Sequence, residues 1–204
     1  MRRLALAALP ALLAGRAHAH SFTAGADAYG AFLEGAGVIF GTPGLMLPLV
    51  ALGLLVALWQ IEGLLTAWPI FLGGQVAGMI AAPLVGPSAA LLPISFGLVL
   101  GALAALVPLN RLGRAVPVLA GLMGLVVMLA GLEGHAWGEL TIPIYLGLLF
   151  GANVAVSATA GIVRVCRETW PGEATRIGAR IIASWVAAIL VLYLAFALSG
   201  TPAA

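Results

Sequence analysis

Six apolar runs, at about 43–59, 64–84, 90–107, 115–132, 141–163 and 178–198, constrain this chain more than anything else in it. Their lengths lie near the roughly 20 residues an α-helix needs to cross the hydrocarbon core of a bilayer, the first run being short. Water is not a solvent in which such a chain can fold. Of its 204 residues, 63% are hydrophobic and 8% charged, and the mean hydropathy is +1.16. A soluble domain could not cover itself with so few polar groups. The 27 glycines suit packed transmembrane helices. The expected fold is all-α, a polytopic membrane bundle of six transmembrane helices over 43–204. Short connections make sequential helices antiparallel neighbours.

The chain before the bundle divides in two. Residues 1–19 read as a cleavable signal peptide: Arg2 and Arg3, then a short apolar run, then Ala17-His18-Ala19 at the cut. Arg16 so near the cut is atypical and keeps an uncleaved anchor as the alternative. Cleavage leaves His20 first, whose free amine and ring either chelate a metal or form a solvated end. Residues 20–42 are too polar early and too glycine-rich for a clean span. They predict an external arm with a short helical piece at or partly in the membrane. Thr42-Pro43 reads as an N-cap with proline at the first helical position, and Thr141 with Pro143 repeats the pattern.

Charge sets the orientation. After the signal, the basic residues are Arg111, Arg114, Arg164, Arg167, Arg176 and Arg180. If six helices alternate, all lie on one side, which the positive-inside rule makes cytoplasmic. The expectation is a multi-pass protein of a bacterial inner membrane, with both mature termini periplasmic and the lipid bilayer as its main partner. Trp59, Trp68, Trp137 and Trp170 fall near span ends, as interfacial aromatics do. Small residues recur every four positions at Gly74/Gly78/Ala82, at Gly97/Gly101/Ala105 and at Gly147/Gly151/Ala155/Thr159. That spacing puts each set on one helix face, where backbones approach closely.

Few polar side chains interrupt the apolar runs. Gln75 and Asn153 fall near the middle of their spans, and Ser157 lies one turn beyond Asn153. Polar groups at that depth face the bundle interior, either as hydrogen-bonded glue or as the lining of a narrow path for a solute or ion. The densest polar stretch is LEGHAWGEL, residues 132–140. Glu133, His135 and Glu139 offer oxygen and nitrogen ligands suited to nickel, cobalt, zinc or manganese, with His20 and Glu34 as helpers on the same face. The alternative is an ordinary solvated loop. Open positions on such a site suit transient capture of a transported ion rather than a permanently bound cofactor. No nucleophile–base constellation, zinc-protease motif, P-loop or dinucleotide fingerprint occurs, which argues against an enzyme. The net charge of +2 argues against nucleic acid, and the single Cys166 excludes an intrachain disulfide.

The AHAH signal end, six short Gly/Ala/Leu-rich spans and a polar loop after the fourth resemble the HupE/UreJ family of hydrogenase- and urease-accessory membrane proteins. The resemblance covers nearly the whole mature chain, and LMLPLVALGLLVA at 45–57 is similar to the family's first span. LEGHAWGEL keeps the Gly134, Ala136 and Gly138 of the family's loop motif. Glu133 and Trp137 stand where that motif has histidines, and Leu140 where it has a glutamate. The resemblance implies a nickel or cobalt permease with metalloenzyme-maturation partners. The replaced ligands leave a second reading open, a non-transporting accessory or scaffold subunit. Oligomeric state is not legible in the sequence.

Overall fold

The computed structural model describes residue 22 and residues 27–85, 89–108 and 112–199. The expected signal peptide, His20 and Arg111 lie outside the described residues. Among the described residues seven α-helices follow one another: α1 (Ala28–Gly41), α2 (Pro43–Trp59), α3 (Gly63–Ala81), α4 (Leu91–Leu106), α5 (Ala115–Gly131), α6 (Ile142–Thr169) and α7 (Glu173–Ser199). A short 3-10 turn, Ala82–Leu84, extends α3. No strand occurs among the described residues.

These helices mark a membrane protein. The α3 unit (Gly63–Leu84), α6 and α7 are each long and apolar enough to cross a bilayer, and a fourth span results if α1 and α2 count as one bent by 75°. The shorter apolar helices α4 and α5 have 16 and 17 residues. At a 1.5 Å rise per residue they reach about 24–26 Å. Large apolar side chains such as Leu65, Ile80, Phe150, Trp185 and Phe196 stand exposed around the outside, as expected where lipid replaces water.

The second helix is the axis of the fold. A helix apolar on every face must be buried on every face. Twelve residues of α2 are buried, and Leu49, Leu52 and Leu55 are wholly so. It touches every other described helix. The closest pairings surround it: α3 with α5, α1 with α6, and α4 with α7. Pro48 sits inside α2, and its ring fills the space that Gly97 of α4 leaves; a side chain at Gly97 would lie 2.6 Å from the proline Cβ.

The small-residue stripes make these contacts. Gly74 and Gly78 of α3 meet the backbone of α5 at Gly121 and Leu125, and Gly124 of α5 meets the Phe71 carbonyl in return. The other two stripes each serve two neighbours. Gly97 faces α2, while Gly101 faces Ala183 and Ala187 of α7. Gly147 and Gly151 face Phe32, Ala36 and Ile39 of α1, whereas Thr159 lies against Gly53 of α2. One face of α6 thus follows the chain through the α1–α2 bend. The segment expected as an external arm carries α1, with Ala31, Gly35, Ala36 and Ile39 buried. Asp27 caps it by accepting the Gly30 N–H at 2.7 Å.

The two ends of the bundle differ in chemistry. At one end the Arg167 guanidinium donates to the Ala57 carbonyl near the end of α2 (2.6 Å), and Arg180 to the Val107 carbonyl just past α4 (2.9 Å). Cations at helix C-termini satisfy orphan carbonyls and complement the helix dipole. At the other end Trp137 donates to the Ile80 carbonyl of α3 (3.2 Å), and Glu133 accepts a backbone hydrogen bond from Ala90, just before α4. The helices from α2 onward therefore run alternately up and down.

Candidate functional site

The loop between α5 and α6 takes its shape from two glycines. Gly134 and Gly138 have φ of 84° and 79°, the left-handed region that side-chain-bearing residues avoid. Between them the chain folds into two successive turns, closed by His135 N–H to Leu132 carbonyl (3.2 Å) and Glu139 N–H to Ala136 carbonyl (3.3 Å). The Glu139 carboxylate accepts the Ala136 N–H at 2.8 Å and braces the second turn.

These turns send the three candidate ligands to different surroundings. Glu133 is only 7% exposed, one of two buried polar residues among those described, the other being Gln75. Burial pushes its carboxyl above the usual carboxylate range, and the Ala90 hydrogen bond offsets part of that rise. His135 is half-buried, its ring edge-on to Phe22 at 5.2 Å between centroids. Its Nδ1 is buried and has no hydrogen-bond partner among the described residues. Glu139 is exposed. Among the described residues no three His, Cys, Asp or Glu side chains come together to hold a metal ion. Glu34 lies half-buried on α1.

Deeper in the bundle, the polar residues of the spans do meet. The Asn153 side-chain amide of α6 donates to Gln75 Oε1 of α3 at 2.9 Å and to the Leu149 carbonyl at 2.8 Å. Asn153 Oδ1 accepts the Trp68 indole N–H at 2.6 Å. Asn153 thus links two points on α3, though few other contacts join α3 to α6. Gln75 is fully buried, and its Nε2 has no partner among the described residues. Ser157 bonds its own helix, donating to the Asn153 carbonyl at 2.7 Å. A groove of about 280 Å³ lies over this group, lined by Leu64, Leu65, Trp68, Asn153, Val156 and Ser157.

Trp68 is the participant that sequence reasoning missed. It was expected as an interfacial aromatic at a span end, whereas its indole N–H reaches Asn153 in the body of α6. The signal was available: Trp68 precedes Gln75 by two helical turns, which places both on one face of α3.

No family model matches this chain, and no curated protein or solved structure is similar to it.

Proposed function

We propose that the chain is a small multi-pass inner-membrane permease that accepts a divalent transition-metal ion at the α5–α6 end and passes it inward. The observation that carries this reading is His135 Nδ1, buried and unpartnered among the described residues, two positions from the buried Glu133 carboxyl. Most buried polar atoms in folded proteins have partners, and a bound ion is one way in which an atom without a partner is satisfied. A nickel or cobalt ion supplies one: it accepts the imidazole lone pair and holds the carboxyl deprotonated. Glu139 drops out of the ligand set because its carboxylate braces the loop. All six helices from α2 to α7 cross in this reading, the arginine-bearing end facing the cytoplasm. Gln75, Asn153 and Ser157 lie along the route, and the absence of a P-loop motif points to a channel or a secondary process.

A second reading has its own observation. The Trp68–Asn153–Gln75 chain ties α3 to α6, which is how polar residues act as interhelical glue in a scaffold or accessory subunit. Calorimetry on the detergent-purified full chain separates the two. Nickel or cobalt should bind wild type and Glu139→Gln, and bind His135→Ala and Glu133→Gln at least about tenfold more weakly. Negligible heats for wild type would overturn the permease reading and leave the scaffold.

A further inference from the structure

The arginine-bearing end of the bundle holds more than the positive charge that orientation requires. A topological signal needs basic residues near the ends of spans, anywhere on their surface. Here three of them converge. A cavity of about 510 Å³ is lined by Arg167 of α6, Arg176 and Arg180 of α7, with Leu58, Trp59 and Val107 forming its apolar wall. Arg167 and Arg180 are half-buried, and their guanidinium groups are fixed by the Ala57 and Val107 carbonyls. Neither has an ion pair among the described residues; the two ion pairs there are Arg164–Glu168 and Arg176–Glu173. Glu173 is thus the acid that engages this pocket, through Arg176 at 2.8 Å.

Each guanidinium carries five N–H donors in a planar fork. One bond to a carbonyl or carboxylate orients the fork and leaves donors for a second partner. Three such forks around one cavity match the several oxygens of a phosphate group, which arginine binds in bidentate fashion. Because the backbone carbonyls already hold two of the forks, little side-chain ordering remains at binding. The apolar wall beside them suits the carbon atoms attached to a phosphoester.

We infer that this cavity is a binding site for a phosphate-bearing anion, held by Arg167, Arg176 and Arg180. The phosphate can come from an anionic phospholipid headgroup or from solution, and the two sources are separable. The full chain, purified in a zwitterionic detergent, is titrated with phosphatidylglycerol or with inorganic phosphate while binding is read by native mass spectrometry and thermal shift. The expected result is saturable binding in at least one arm. Binding of phosphatidylglycerol that excess inorganic phosphate does not displace assigns the lipid source. Binding of inorganic phosphate alone, or full displacement by it, assigns the free anion.

Arg176→Gln tests the pocket without touching either carbonyl bond, and Arg167→Lys keeps a cation while removing the fork. Arg176→Gln should weaken binding about fivefold or more, the scale of one basic residue facing an anionic headgroup, and Arg167→Lys should weaken it measurably through loss of the bidentate fork. Arg164→Gln is the control. It is paired with Glu168 and does not line the cavity, so binding should stay unchanged. The inference is overturned if wild type binds neither probe, if Arg176→Gln and Arg167→Lys both bind like wild type, or if Arg164→Gln loses as much as they do.

Discussion

Gly73 and Gly74 are adjacent on α3, and one methyl group added to each should have opposite consequences. At Gly73 a Cβ would meet nothing within 4 Å. At Gly74 it would run into the Gly121 carbonyl oxygen, with the carbonyl carbon at 2.7 Å and the Cα at 3.0 Å. All three atoms are backbone, so no rotamer change relieves the clash, and α3 and α5 must move apart. That contact is the most extensive pairing among the described helices. Overpacking of this kind costs about 1–3 kcal/mol, and the rigid partner places Gly74→Ala at the upper end. Gly73→Ala should be neutral or gain up to about 1 kcal/mol from helix propensity. For a chain of this size each kcal/mol moves the melting midpoint by about 2–4 °C. Thermal unfolding in detergent, followed by far-ultraviolet circular dichroism, should therefore show Gly74→Ala several degrees below wild type and Gly73→Ala level with it or above. Equal midpoints for the two variants would refute the close approach of α3 and α5.

Three further outcomes are expected. Asn153→Ala strips the partner from Gln75 Oε1 and the Trp68 indole at once, and should lower the thermal midpoint by about 1–3 kcal/mol equivalent; no change would show that these bonds are not formed in the bilayer. Glu133 has a folded-state pKa above its ordinary 4.5. Its contribution is fully present below that value and is lost as pH rises through the folded-state pKa, so wild-type stability should fall with rising pH over this window while Glu133→Gln lacks that component; identical pH profiles would contradict the burial. Cys166 is a free, partly exposed thiol beside Arg167. A membrane-impermeant maleimide should label it in inside-out vesicles and not in intact cells, and the reverse pattern would invert the proposed orientation.

Much of the helical framework was legible because local chemistry sets it. Apolar length marked each helix from α2 to α7, and the Thr-Pro pairs at 42–43 and 141–143 marked two starts, since proline lacks the N–H that a first turn leaves unused. Boundaries failed where helices leave the apolar zone. The fifth apolar run ends at 163, but α6 continues to Thr169; the sixth begins at 178, but α7 begins at Glu173. The extra turns carry Arg164, Arg167 and Arg176, which hydropathy treats as breaks although they are sound helix formers. The site was less legible. Four-residue spacing shows that a face is small without naming the helix that meets it, so neither the α1–α6 contact nor the division of α4 between two neighbours could be read. Spacing grouped Glu133, His135 and Glu139, but two left-handed glycines turn the chain between them, and only the folded loop separates their roles.

The position of α2 also bears on the order in which the protein can be completed. It is the second of the described helices to leave the ribosome, yet part of its wall is α7, the last of them. Until α7 arrives, Gly101 of α4 lacks its neighbours Ala183 and Ala187, and Gly44 of α2 lacks Tyr193. The carbonyl beyond α4 likewise waits for Arg180. A nascent bundle ending at α6 therefore exposes to lipid a crevice lined by small residues and an unmet carbonyl. Closing it is a late step, taken only after the Trp170-Pro171-Gly172 link between α6 and α7 has been made.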